Sequence, residues 1–149
     1  MLISTKGRYA LRVMIDLAEH QTEGYIPLKT IAQRQGISEK YLEGIIKLLV
    51  KAQLLNGVRG KGGGYRLTKV PEQYTAGEIL RAIEGSVAPI PCLGSETNEC
   101  PMSEQCFTLP FWSGLDDVIN QYIDSVTLEQ LAQSLPAANE GCGGCGTKG

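Results

Sequence analysis

Residues 27–68, PLKTIAQRQGISEKYLEGIIKLLVKAQLLNGVRGKGGGYRL, constrain what this chain can fold into more than any other stretch. A short helix is expected from about Leu28 to Gln35, with Ile31 and Ala32 turned inward. Gly36 supplies a turn, and Ser38 caps a further helix in which Leu42, Ile45, Ile46 and Leu49 follow the i, i+3, i+4, i+7 stripe of a core-facing surface. The opposite face carries Lys40, Glu43, Gly44 and Lys47, polar groups free to enter a groove. Two short strands follow, Leu54–Val58 and Tyr65–Leu67. Asn56-Gly57 has the form of a two-residue turn, but the glycines at 60 and 62–64 are the stronger turn signal. Helix, tight turn, helix and a glycine-tipped hairpin with Arg59 and Lys61 at its end describe a winged helix-turn-helix, which points to DNA as the partner.

The remaining segments fit around that unit. Tyr9, Ala10, Val13, Met14, Leu17 and Ala18 recur at helical spacing after Thr5, the expected cap, and Lys6, Arg8 and Arg12 lie near the start of that helix. Thr75-x-x-Glu78 reads as a capping box before Ile79, Leu80 and Ile83, with Gly85 as the stop. Residues 86–108 hold prolines, glycines and three cysteines without periodicity. After Pro110, a stripe of large apolar residues runs from Phe111 and Trp112 through Leu115, Val118 and Ile119 to Tyr122, Ile123 and Val126. A protein this small has little interior to cover such a stripe, so it is read as a dimerisation helix, the alternative being that it folds back on its own core. Thr127-x-x-Gln130 opens a last short helix that Pro136 stops, and the tail ending EGCGGCGTKG is expected to be flexible. The expected fold class is therefore mainly α with a small β-hairpin wing. Its regions are a DNA-binding head (1–70), a connecting helix and cysteine loop (71–108), the dimerisation and final helices (109–136) and the tail (137–149).

Charge supports a phosphate-facing front. Residues 1–69 carry a net +7 and residues 70–149 a net −9. No window approaches the roughly 18 uninterrupted apolar residues of a membrane span, and MLISTKGRYA shows neither a hydrophobic run nor a small-residue cleavage site. The chain is expected to stay in the cytoplasm, where five cysteines, odd in number and clustered, favour metal or redox chemistry over a disulfide framework.

The expected DNA contacts begin with Ser38, Glu39, Lys40 and Tyr41 at the N-terminal end of the third helix, which should lie in the major groove. Glu43 either meets the N4 donor of a cytosine or pairs with Lys47 one turn on. Arg59 and Lys61 are placed to reach the adjacent minor groove, while Lys6 and Arg8 are set for phosphate. Gly60-Lys61 is followed by glycine, so no nucleotide-phosphate loop of the form GxxxxGK[ST] can be drawn. No serine–histidine–acid, metal-hydrolase or paired-carboxylate arrangement is visible, and no enzyme is expected.

Cys92, Cys100 and Cys106 place three thiols within fifteen residues. Soft thiolates select iron–sulfur clusters, zinc or copper(I), and spacing alone does not decide among them.

Taken together, STKGRYALRVMIDLA, SEKYLEGIIKLL, VRGKGGGYRL and TAGEILRAIEG with the spaced cysteines resemble the IscR-type family of bacterial winged-helix regulators, over residues 1 to about 135. The resemblance implies a homodimer, binding to a pseudo-palindromic double-stranded operator, and, in cysteine-bearing members, an iron–sulfur cluster ([2Fe-2S] or [4Fe-4S]) held by the loop. It also implies that an acid at Glu43 takes part in choosing between operators. The chain departs from the pattern where a histidine is expected three positions after the third cysteine, since Leu109 stands there. In other members an acid of the partner's first helix completes the cluster, and the matching position here is Arg8. Glu96, Glu99, Glu104, Cys142, Cys145, water or a small thiol remain as candidates for the fourth ligand. A cluster-free regulator governed by thiol oxidation or by a protein partner is the alternative, whether that partner belongs to cluster assembly or to metabolism. An iron–sulfur carrier whose basic face is incidental is the third.

Overall fold

A computed structural model describes residues 3–98 and 100–134. Helix α1 (Thr5–Glu19) packs with α2 (Leu28–Gln35) and α3 (Glu39–Lys51), followed by the hairpin β1 (Leu55–Val58) and β2 (Gly64–Leu67), then α4 (Ala76–Glu84), α5 (Leu109–Ser125) and α6 (Leu128–Gln133). The cap of α1 is Ser4, not Thr5: its hydroxyl accepts from the Gly7 amide at 3.1 Å. Ser4 can hold that place because its own amide and hydroxyl both donate to Glu84 at the end of α4, at 2.9 and 2.5 Å.

The helix-turn-helix forms as its residue pattern dictates. Gly36 takes the left-handed conformation (φ 66°) that ends α2. The Ser38 hydroxyl then accepts from the Tyr41 amide at 3.1 Å to start α3. Leu42, Ile45, Ile46 and Leu49 are buried against Ala10, Val13, Met14, Leu17 and Ile31. Full burial of each large aliphatic side chain contributes roughly 1.5–3 kcal/mol.

One charge lies inside this core. Asp16, 3% exposed, accepts Nε and Nη2 of Arg34 at 3.0 and 2.7 Å and Nε2 of Gln35 at 3.0 Å. A buried carboxylate persists only when its lone pairs are met in this way. The set fixes α1 against the end of α2.

The wing is antiparallel, with Asn56 opposite Arg66 and Gly57 opposite Tyr65, so Asn56-Gly57 lies mid-strand and the glycine cluster makes the turn. The Tyr65 ring covers Gly57, where a Cβ would stand 2.8 Å from Cε1. Ile26 joins as a third strand position, exchanging hydrogen bonds with Tyr65 at 2.9 and 2.8 Å. Fully buried Tyr74 closes the base of the hairpin. Its hydroxyl donates to the Leu54 carbonyl at 2.7 Å and accepts from the Thr68 and Lys69 amides at 2.8 and 3.0 Å. Tyr74→Phe takes one hydrogen bond from each of three backbone groups, the Leu54 carbonyl keeping Thr68 as a partner at 3.3 Å, and is expected to cost about 2 kcal/mol. Amide hydrogen exchange should quicken in β1 and β2 while α1 stays protected; unchanged wing protection would contradict this role.

Thr75 caps α4 through the Glu78 amide at 3.1 Å. The reciprocal half of the expected box is missing, because the Glu78 carboxylate turns to Lys69 at 3.1 Å. The complete box is the later one, Thr127 with Gln130, at 2.9 and 3.2 Å. From there α6 returns to the core, and Leu128 is fully buried.

Helix α5 contains no buried residue. One edge leans on α4: Arg81 holds Asp124 through two bonds of 2.7 and 3.0 Å and reaches Asn120 at 2.6 Å. That hydrogen bonding keeps the Asp124 carboxyl below the ordinary carboxylate range. Gly77 admits the approach, since a Cβ there would meet Asp124 Oδ1 and Ile123. The other edge is bare, with Phe111 at 65%, Val118 at 62% and Tyr122 at 69% exposure. Among the described residues, no helix is long and apolar enough to cross a membrane. Pro136 and the tail lie outside the described residues.

Candidate nucleic-acid interface and cysteine loop

Helix α3 presents Ser38, Glu39, Lys40, Glu43 and Lys47 as exposed side chains. Ser38 is already engaged as the cap. Glu43 pairs with Lys47 at 3.2 Å, one turn on. Both members are largely solvated (51% and 74% exposed), so the pair holds them weakly. Tyr41 is half-buried and meets Tyr9 edge-on at 5.9 Å, with the Arg12 guanidinium over Tyr9 at 4.8 Å. Arg12 also donates to Gln35 at 3.1 Å. This stack sets α3 against α1.

Lys6 from α1 lies beside Gly44 on the same face, its Nζ 3.7 Å from where a Cβ at 44 would stand. Exposed Arg8 donates to Thr5 Oγ1 at 3.3 Å. Between α3 and the wing runs an open groove to which Glu43, Lys47, Lys51 and Arg59 contribute, over a floor that includes Val50 and Val58. Lys61 is exposed at the tip, where Gly60 (φ 94°) and Gly62 (φ 76°) make the turn. The structure thus brings Glu43, Lys47 and Arg59 to one groove, with Lys6 on the helix beside it. Lys51 was missed because it falls at the end of α3, beyond the polar face drawn from the helix start. Asp16 and Tyr74 were missed because pairing across 18 and 20 residues leaves no local signal.

The cysteine loop joins α4 to α5 and contains two single-turn 3-10 segments, Pro91–Leu93 and Ser103–Gln105. Cys92 sits in the first, Cys100 opens the approach to the second, and Cys106 follows it; all three are half-buried thiols. Cys92 and Cys100 line one open cleft with Pro91 and Ser95. The Cys100 side chain, and then burial, push the Cys92 thiol up from its ordinary value. Cys106 turns away to Thr108 Oγ1 at 3.5 Å, and hydrogen bonding there pulls its thiol down. Leu109 begins α5 and offers no donor. In donor type the three thiols fit an iron–sulfur cluster, and two of them already share a cleft. Among the described residues, however, no three His, Cys, Asp or Glu side chains converge to hold a metal ion; Cys106 must leave Thr108 to join the other two. Glu96 and Glu104 are exposed, and Glu99, Cys142 and Cys145 lie outside the described residues. His20 ends α1 against the Asp16 carbonyl at 2.8 Å.

Residues 3–134 match the model of the Rrf2 family, described as an iron-dependent transcriptional regulator. The chain belongs to the Rrf2 family. Among Rrf2 relatives, the HTH-type transcriptional regulator IscR of Pectobacterium atrosepticum is 38% identical over 139 residues, covering 93% of this chain and 84% of that protein. The structure of CymR, the global cysteine regulator of B. subtilis, superposes with a TM-score of 0.73 at 38% identity, covering 91% of this chain and 99% of that one. T. potens IscR gives a TM-score of 0.67 at 37% identity, covering 89% and 87%. The expected winged-helix architecture and the expected family both hold, and membership of Rrf2 makes this chain a transcriptional regulator.

Proposed function

We propose that this Rrf2 protein is a homodimeric regulator whose affinity for a pseudo-palindromic operator follows the state of its cysteine loop. The observation that carries the reading is positional: three thiols sit on the one segment that links the DNA-reading head to α5, the helix with a bare apolar edge. Lys40, Tyr41, Glu43 and Lys47 enter the major groove from α3, Arg59 and Lys61 reach the minor groove, and Lys6 and Arg8 meet phosphate. The bare edge of α5 pairs with a second copy, spacing two heads about 34 Å apart, one turn of DNA. Cys92, Cys100 and Cys106 would hold an iron–sulfur cluster, a group that oxidants and iron shortage remove. What the chain itself supplies is the release of Cys106 from Thr108 at the start of α5, so a change in the loop acts directly on the helix that spaces the heads.

Iron and acid-labile sulfide on anaerobically purified protein test this reading, beside a Cys92/Cys100/Cys106→Ala variant. Matched iron and sulfide, lost in the variant together with the difference in operator affinity, is the expected result. A second reading keeps the operator and drops the cluster; Leu109 and the position of Cys106 favour it, and an iron-free protein after reconstitution would establish it.

Within the operator, the weak Glu43–Lys47 pair leaves the carboxylate free to meet a cytosine N4 donor. Glu43→Ala is expected to relax discrimination at one base pair by about 1–3 kcal/mol. An unchanged profile in selection from random DNA would remove Glu43 from sequence readout.

A further inference from the structure

Cys92 and Cys100 stand apart from the third cysteine. Both are half-buried and both line the open cleft with Pro91 and Ser95, which Cys106 does not. Residues 94–98 between them are exposed, so that segment can bow without unpacking a core residue. Cys106 is engaged with Thr108 Oγ1. Within that cleft the Cys92 and Cys100 side chains hydrogen-bond to each other, which brings the two sulfurs close together, the first requirement of a disulfide.

We propose that in the iron-free chain Cys92 and Cys100 form a reversible disulfide when the oxidant is a peroxide, with Cys106 left as a thiol. One thiolate of the pair attacks a peroxide oxygen; the O–O bond breaks, the sulfur becomes a sulfenic acid, and hydroxide leaves to take up the thiol's proton as water. The second thiolate attacks that sulfur; the S–S bond forms, the S–O bond breaks, and its hydroxide leaves with the second proton as another water. Together the two sulfurs give up two electrons, and one hydrogen peroxide becomes two waters. The bond takes two of the loop's three soft donors out of reach of iron until a thiol reductant restores them. That consequence rests on the cluster reading; the bond does not.

The chain is suited to a direct test. Cleavage after Glu96, Glu99 and Glu104 puts Cys92, Cys100 and Cys106 on separate peptides, and cleavage after Glu140 separates Cys142 and Cys145 from them. Iron-free full-length protein is treated with one equivalent of hydrogen peroxide, alkylated, cleaved and weighed. The expected result is a linked Cys92–Cys100 peptide pair and loss of two of the five thiols, both reversed by dithiothreitol, with the linked mass gone in Cys100→Ser. A link through Cys106, Cys142 or Cys145, or thiols lost with no link, overturns the proposal. Iron uptake on the same samples separates the two readings: a linked chain that still takes up iron and sulfide upholds the bond and counts against the three cysteines as the cluster site.

Discussion

Replacing Gly64 by alanine is expected to detach the wing from the helix-turn-helix. Gly64 has φ 154°, and a Cβ there would stand 2.2 Å from the Ile26 carbonyl oxygen and 2.7 Å from the Pro27 nitrogen. These are backbone atoms at the entry to α2, and no rotamer relieves the overlap. The strand must move out, loosening both Ile26–Tyr65 hydrogen bonds. Two such bonds at about 1 kcal/mol each, with about 1 kcal/mol or more of backbone strain, bring the cost to about 3 kcal/mol. For a chain of this size that is a fall of roughly 10 °C in melting temperature. Gly60→Ala is the comparison: its φ of 94° is strained for alanine, but nothing lies within 4 Å of the new Cβ. It should cost about 1 kcal/mol. Equal melting temperatures for the two variants would show that the close approach to Ile26 does not govern the wing.

The second large effect concerns Asp16. Removing its carboxylate in Asp16→Ala leaves the Arg34 fork and the Gln35 amide without their acceptor. Loss of one member of a buried pair costs roughly 3–5 kcal/mol, and with solvent able to reach the arginine the lower figure applies, about 3 kcal/mol. The damage is also directional, since this carboxylate joins α1 to the end of α2, and the turn at Gly36 takes α3 from there. Operator affinity is therefore expected to fall in Asp16→Ala even under conditions where the variant is fully folded. Urea unfolding followed by DNA titration in buffer checks both parts. A stable variant with normal affinity would mean that apolar packing alone orients α3.

How much of this could be read beforehand depends on distance along the chain. The α2–turn–α3 unit was legible because its signals are local: Gly36 and Ser38 sit at the required positions, and the Leu42, Ile45, Ile46, Leu49 stripe is buried as its spacing demands. Even the choice between two candidate turns in the wing followed from glycine density. Local rules failed where a distant partner competed for a side chain. Thr5 lost the cap of α1 to Ser4, which Glu84 holds from the far end of α4. Glu78 left its box for Lys69. Helix α5 leans on α4 through the polar Arg81–Asp124 contact, while Phe111, Val118 and Tyr122 of its apolar stripe stand exposed. Among the candidate site residues, the groove joining Glu43, Lys47 and Arg59 is a tertiary product, although each residue was individually visible. The three cysteines were equally visible, but sequence order gives no hint that two share a cleft while the third caps itself against Thr108.

The way Tyr74 gathers both ends of the hairpin bears on how such a protein can change what it reads. Its phenol grips the chain where the wing begins, at Leu54, and where it ends, at Thr68 and Lys69, while at Gly60 and Gly62 on the tip an added Cβ would meet nothing. The residues that close the base of this short hairpin are therefore distinct from Arg59 and Lys61, the two proposed to read the minor groove. Arg59 and Lys61 are both exposed, so exchanging them is expected to leave the stability of the head unchanged. On the minor-groove reading proposed for Arg59 and Lys61, the wing is an interchangeable bit in a fixed chuck, and new binding preferences can be sought at its tip while the rest of the sequence is left alone.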